Sequence, residues 1–195
     1  MPRRSDKRER LVDAAMEEIY RHGYSGVTLA RVAERADIPV GNVYYYFKTK
    51  ESLGEAVLDS RAEEIETLIR SASSEATPQR RLAAFVESLV ESGESTSTLG
   101  CPYGSLVLEL EKGDGILSEK AKRLFEIQID WFTLQFRDMG LGRRAASRAR
   151  ELLAGLQGAS LITQAFRDPR YLEERSRALV DWIESLDSAP RAVAS

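Results

Sequence analysis

TLARVAERADIPVGNVYYYFKTKESL, residues 28–53, is the stretch that decides the fold. Leu29, Val32, Ala33 and Ala36 recur at helical spacing and make one short apolar face. Thr28 stands just ahead of it, where a hydroxyl can accept from the exposed N–H groups of a first helical turn. Asp37 follows where the chain must reverse, and Asp is one of the few non-glycine residues that tolerate the left-handed conformation. Ile38 is expected to plug the angle between two helices, and Pro39 suits the first turn of the second. That second helix carries Gly41, Asn42, Val43, Tyr44, Tyr45 and Tyr46 and is expected to end near Phe47. Tyr44 and Phe47 are expected to brace it from within, with Asn42 and Tyr45 projecting outward. Two helices on so tight a turn read as a helix-turn-helix whose second member can enter a DNA major groove.

Working outward, the flanking residues supply what this hairpin lacks. Two helices this short cannot bury enough surface to stand alone. Leu11, Ala14, Ala15, Ile19 and Tyr20 form the stripe of a preceding helix that ends at His22 and Gly23, with Tyr24 and Val27 packing below the hairpin. Residues 3–10 read as a basic, frayed arm, and His22 as a last-turn residue favoured by the helix dipole. From Lys50 to about residue 72 the pattern is one long helix, with a polar, solvated centre at residues 61–64. Residues 71–77 are rich in Ser and Ala and Pro78 opens the next element, which places a domain boundary there.

Beyond it the periodicity stays helical: residues 78–92, 101–111, 117–139, 144–166 and a last helix from Pro169. Residues 93–98 read as a polar loop, and residues 188–195 as a disordered tail. The expectation is therefore all-α, about nine helices, with a DNA-binding domain over 1–50, a connecting helix over 50–72 and a second domain over 73–187.

Composition narrows the function classes. The chain has 195 residues and a formal net charge of −3, so any nucleic-acid contact must be local. Residues 1–50 carry +3 and the remainder −6, a basic head on an acidic body. One cysteine, Cys101, excludes an intramolecular disulfide, and one histidine leaves little for a zinc site or a catalytic triad. Neither a metal nor a cofactor is expected. The charged start MPRRSDKRERL is unlike a secretory signal, and no apolar run approaches the ~20 residues of a membrane span. A cytoplasmic protein is the expectation.

Two features of the second domain point to a small molecule. Ala121, Leu124, Phe125, Gln128, Phe132 and Gln135 share one stripe, and glutamines on an apolar face each need a partner. They can line a cavity and orient a ligand, together with Tyr103, Gln157 and Gln164; Phe85, Leu89 and Leu106 complete the expected apolar wall. Cys101 opens its helix as Gly100-Cys101-Pro102. A cysteine at a helix start can react with oxidants or electrophiles. The plainer reading, a small wall residue of the cavity, is preferred.

The stretch Thr28, Ala33, Ala36, Gly41, Tyr44, Tyr46, Phe47, Lys50 resembles the DNA-binding segment of the TetR (tetracycline-repressor-like) family of bacterial transcriptional regulators. It departs where Asp37 replaces the usual glycine and where Val40 stands for a residue that is polar in many relatives. The resemblance implies phosphate-backbone contacts by Thr28, Tyr44, Tyr46 and Lys50, and groove contacts near Pro39, Val40, Gly41, Asn42 and Tyr45. It implies a homodimer, with Leu152, Gly155, Ala159, Leu179, Ile183 and Leu186 on the two helices that pair with a second copy. It further implies a pseudo-palindromic double-stranded operator and a repressor released when an effector moves the connecting helix. Two other classes compete: an enzyme using the helical cavity, for which no His/Cys/carboxylate cluster is present, and a helical adaptor that binds protein and never DNA. Steep salt dependence of DNA binding separates the regulator from the adaptor.

Overall fold

Apolar residues at helical spacing produce helices throughout the computed structural model, which describes residues 4–90 and 93–186. In chain order these are α1 (Arg4–His22), α2 (Leu29–Arg35), α3 (Val40–Tyr46), α4 (Lys50–Ala72), α5 (Pro78–Ser88), α6 (Gly93–Leu99), α7 (Pro102–Leu110), α8 (Ile116–Asp138), α9 (Ala145–Phe166) and α10 (Pro169–Ser185), with a 3-10 turn at Gly142–Arg144. The tail expected at residues 188–195 and the first residues of the basic arm lie outside the described residues.

Local chemistry sets the helix starts. Thr28 caps α2 by accepting from Arg31 N–H, Thr77 caps α5 from Arg80 N–H, and Asp168 caps α10 from Arg170 N–H. Pro78 and Pro169 follow two of these caps at positions where no N–H is needed. Thr49 and Ser52 cap α4 reciprocally, each side chain accepting from the other's backbone N–H.

The helices form two compact units: residues up to Glu64 together with Pro102–Leu124, and Ile65–Cys101 together with the chain from Phe125 onward. Compactness thus divides the chain elsewhere than at the Ser/Ala-rich segment: α7 and the first part of α8 group with the helix-turn-helix, and α4 and α8 each run through both units. In the first unit α1 packs on α2 and α2 on α3 over a core that includes Leu11, Ala15, Val32, Val43, Phe47 and Leu53. In the second, α10 packs on α9, α5 and α6. Its core joins Leu82, Phe85, Phe132, Phe136, Leu152, Leu156 and Ile183, with Phe85 edge-on to Phe132 at a ring separation of 5.1 Å.

Four expectations are corrected. Residues 93–98 are not a loop but lie within α6, which packs on α9 and α10. Its Ser/Thr composition hid the helix, because Ser97 and Thr98 hydroxyls donate back to the Glu94 carbonyl at 2.8 and 3.2 Å. Residues 4–10 are the first turns of α1 rather than a frayed arm: Arg10 donates to Ala36 O at 2.6 Å and Arg8 lies over the Phe47 ring. Arg61, expected to be solvated, has a side chain only 12% exposed, bonded to Glu64 at 2.8 Å.

The fourth concerns the surface expected to pair two copies. Leu152 and Ile183 have no exposure at all, and Ala159 and Leu179 are buried in the same single chain. A Cβ on Gly155 would lie 2.9 Å from Leu179, so the small residues of α9 accommodate α10 of their own chain. Leu186 packs at the edge of that core. Leu152, Ala159, Leu179 and Ile183 are thus spent on the core of their own chain, while Gly155 and Leu186 stay partly exposed. The apolar side chains left outward on α9 are Leu161 (61% exposed), Ile162 and Phe166 (75% exposed).

Candidate nucleic-acid interface

The turn between α2 and α3 is built as the residues require. Asp37 takes a left-handed φ of 51°, and Ile38, buried beneath the turn, donates its N–H to Ala33 O at 3.0 Å. Pro39 is the N-cap residue of α3, one position before its first turn. Val43 and Phe47 anchor α3 in the core. Gly41, Asn42 and Tyr45 are exposed along with Val40 and Tyr44, and space within 4 Å of a Cβ on Gly41 is empty. Tyr44 is half exposed, so it does not brace the helix; of the two aromatics expected to do so, only Phe47 does. Since residues 40, 41, 44 and 45 lie on one helical face, α3 presents a continuous outward strip of apolar and phenolic groups. Tyr46 is half buried and meets Tyr45 edge-on at 5.1 Å.

Around this strip the cations differ in how they are held. Arg31 pairs with Glu18 at 3.1 Å and Arg35 pairs with Glu17, bracing α2 on α1. His22 lies 3.8 Å from Glu18 in the last turn of α1. Lys48 is exposed in the turn between α3 and α4. Lys50, the first residue of α4, donates to Ser25 O at 3.1 Å and sits 4.6 Å over the Tyr24 ring. An ammonium has three donors, so this bond leaves capacity for a phosphate oxygen beside the α4 N-terminus.

One residue near this surface was not singled out from the sequence. Glu109 of α7 accepts from Tyr24 N–H and Ser25 N–H, each at 2.7 Å, and from the Ser25 hydroxyl. Partial burial alone would raise its carboxyl; these donors and the Lys50 ammonium outweigh that and hold it below its ordinary value. The contact joins positions 84 and 85 apart in sequence, beyond the reach of any local pattern. Nearby, Lys120 of α8 binds Asp59 of α4 at 2.7 Å.

Of the residues expected to face a ligand, Tyr103 and Leu106 fall in the first unit and the others in the second. Phe85 and Phe132 are in the aromatic core and Gln128 is buried. Gln157 donates to Cys101 Sγ at 3.6 Å, and the Gln164 side chain lies against Gly100. Leu89 and Phe125 are half buried. Gln135, the second glutamine of the α8 stripe, accepts from Arg81 at 3.4 Å and is a structural group. Two clefts have other walls: about 340 Å³ lined by residues of α5 and α10 with Val90, and about 380 Å³ lined by residues of α1 and α4.

Residues 11–57 match the family model described as bacterial regulatory proteins, tetR family. The HTH-type transcriptional repressor DhaR of Mycobacterium sp. (strain GP1) is 26% identical over 88% of this chain and 89% of its own. The HTH-type transcriptional regulator BetI of Paraburkholderia phymatum is 39% identical over 43% of either chain, so that likeness spans less than half of each protein. A TetR-family transcriptional regulator from Streptomyces coelicolor shares the fold over 95% of this chain and 97% of its own, with a TM-score of 0.84 and 22% identity.

Proposed function

Since this chain belongs to the tetR family of bacterial regulatory proteins and is a transcriptional regulator, we propose that it acts as a homodimeric repressor which a small effector releases from its operator. The observation that carries the reading is α3: anchored by Val43 and Phe47, it turns Val40, Gly41, Tyr44 and Tyr45 outward as one strip. Val40 is suited to a thymine methyl, Asn42 to a base edge or phosphate, and Gly41 to close backbone approach. Thr28, Pro39, Tyr46 and Lys50 flank the strip and are assigned to the sugar-phosphate backbone and its approach. Two such heads match a two-fold operator. The DhaR relative is named a repressor, which favours that sign of control.

Dimerisation is assigned to the exposed face of α9, Leu161, Ile162 and Phe166, since a two-fold interface needs one self-complementary patch. The effector site is assigned to the second domain, with Cys101, Gln157 and Gln164 among its residues. Effector binding need supply only ~1–3 kcal/mol of coupling for a ~5–150-fold loss of operator affinity. Among the described residues no helix is long and apolar enough to cross a membrane, and a cytoplasmic site of action accords with that.

Footprinting the purified protein on the DNA flanking its own gene tests the reading. Protection of a pseudo-palindrome, with affinity falling steeply with salt, is expected. Salt-independent binding, or binding to protein partners with no DNA protection, would favour the adaptor instead.

A further inference from the structure

Three elements of the first unit meet at Tyr24. Its backbone N–H and that of Ser25 both donate to the Glu109 carboxylate of α7 at 2.7 Å. Its ring lies against α4, where a Cβ on Gly54 would approach Tyr24 Cε2 to 2.7 Å. The Lys50 ammonium covers the same ring and donates to Ser25 O. Gly23, at φ 72°, completes the fit, because a Cβ there would meet the Glu109 carboxylate at 3.0 Å. Consecutive N–H groups converging on one carboxylate form a small anion nest, here filled by a side chain of the protein itself. The turn they belong to leads directly into the Thr28 cap of α2.

We propose that Glu109 is a positioning residue for operator recognition: by fixing the turn at Tyr24 and Ser25 it sets the pose of α2 and α3 and holds Lys50 at the α4 N-terminus. This rests on the DNA-binding reading above. As a carboxylate, Glu109 carries the wrong charge to bind phosphate itself. Its removal therefore acts in opposite directions on the two kinds of DNA binding. Specific binding loses a fixed geometry, whereas non-specific binding gains from the loss of a negative charge near Lys50.

The test compares wild type, Glu109→Ala and Glu109→Gln on operator and on random-sequence duplex, with amide hydrogen exchange at Tyr24 and Ser25 measured without DNA. Glu109→Ala should lose exchange protection at both amides and lower the operator-to-random affinity ratio about tenfold, the scale of one charge-assisted hydrogen bond. Glu109→Gln keeps one acceptor oxygen and should recover part of both. A merely destabilised head would weaken both kinds of binding in proportion, leaving the ratio unchanged, and that result overturns the proposal. So does retained protection in Glu109→Ala, since the contact would then not be what holds the turn. If wild type itself does not discriminate operator from random DNA, the regulator reading fails first; equal ratios for a discriminating wild type and Glu109→Ala sink this inference alone.

Discussion

α3 and α9 make opposite use of their residues. In α3 two side chains, Val43 and Phe47, are committed inward, and Val40, Tyr44 and Tyr45 face outward. In α9 one face, Leu152, Leu156, Ala159 and Thr163, is consumed by the core of its own chain, and a second apolar strip, Leu161, Ile162 and Phe166, is left over. A helix with one apolar face tells the reader which way it points. One with two does not say which belongs to the fold and which to a partner, because burial drives both alike.

The sharpest break of this comparison is Ile183→Glu set beside Phe166→Glu. A carboxylate at Ile183 would replace a side chain with no exposure to solvent, and the expected outcome is loss of cooperative unfolding altogether. Leu152→Ala, a gentler probe of the same core, should cost about 2–5 kcal/mol in chemical denaturation. Phe166→Glu should leave the melting of the single chain intact and yield monomers in sedimentation, with operator binding lost alongside. Folded monomers from Ile183→Glu would return the interface to the buried face. A Phe166→Glu protein that stays dimeric would move it to another surface.

That contrast also explains what the sequence made legible. Thr28, Asp37 and Ile38 are governed by neighbours within a few positions, so capping and turn chemistry sufficed to place them. α6 was missed because its polar composition is offset by bonds to its own backbone and by packing on α9 and α10. Glu109 was missed for a different reason. Its partners are remote in sequence, and a glutamate in a short apolar helix looks like a solvent-facing residue until the fold brings Tyr24 and Ser25 to it. Gly54 is similar: only the Tyr24 ring against α4 reveals why no side chain fits there.

A smaller effect is expected on the DNA-facing side. Lys50→Ala should weaken operator and random-sequence binding alike and lower the salt slope by about one unit, the signature of one lost phosphate contact. The lysine also stacks on Tyr24 and bonds Ser25 O, so the variant should lose roughly 0.5–1 kcal/mol of stability as well. An unchanged slope in a folded variant would assign Lys50 to the turn rather than to phosphate, leaving exposed Lys48 as the cation to test next.

The smallest effect is expected at Cys101. Gln157, a neutral amide, donates to its sulfur at 3.6 Å, and no Lys, Arg or His lies in residues 98–110. A reactive thiolate is favoured by nearby positive charge, whereas an amide donor serves a thiol or a hydroxyl equally well. Cys101→Ser should therefore keep its bond to Gln157, fold normally and release the operator in response to effector as wild type does. The measurement is operator release by a thiol-reactive compound, with wild type and Cys101→Ser matched beforehand for DNA affinity. Equal indifference in both makes Cys101 a wall residue. Release in wild type alone makes the sulfur itself the sensor.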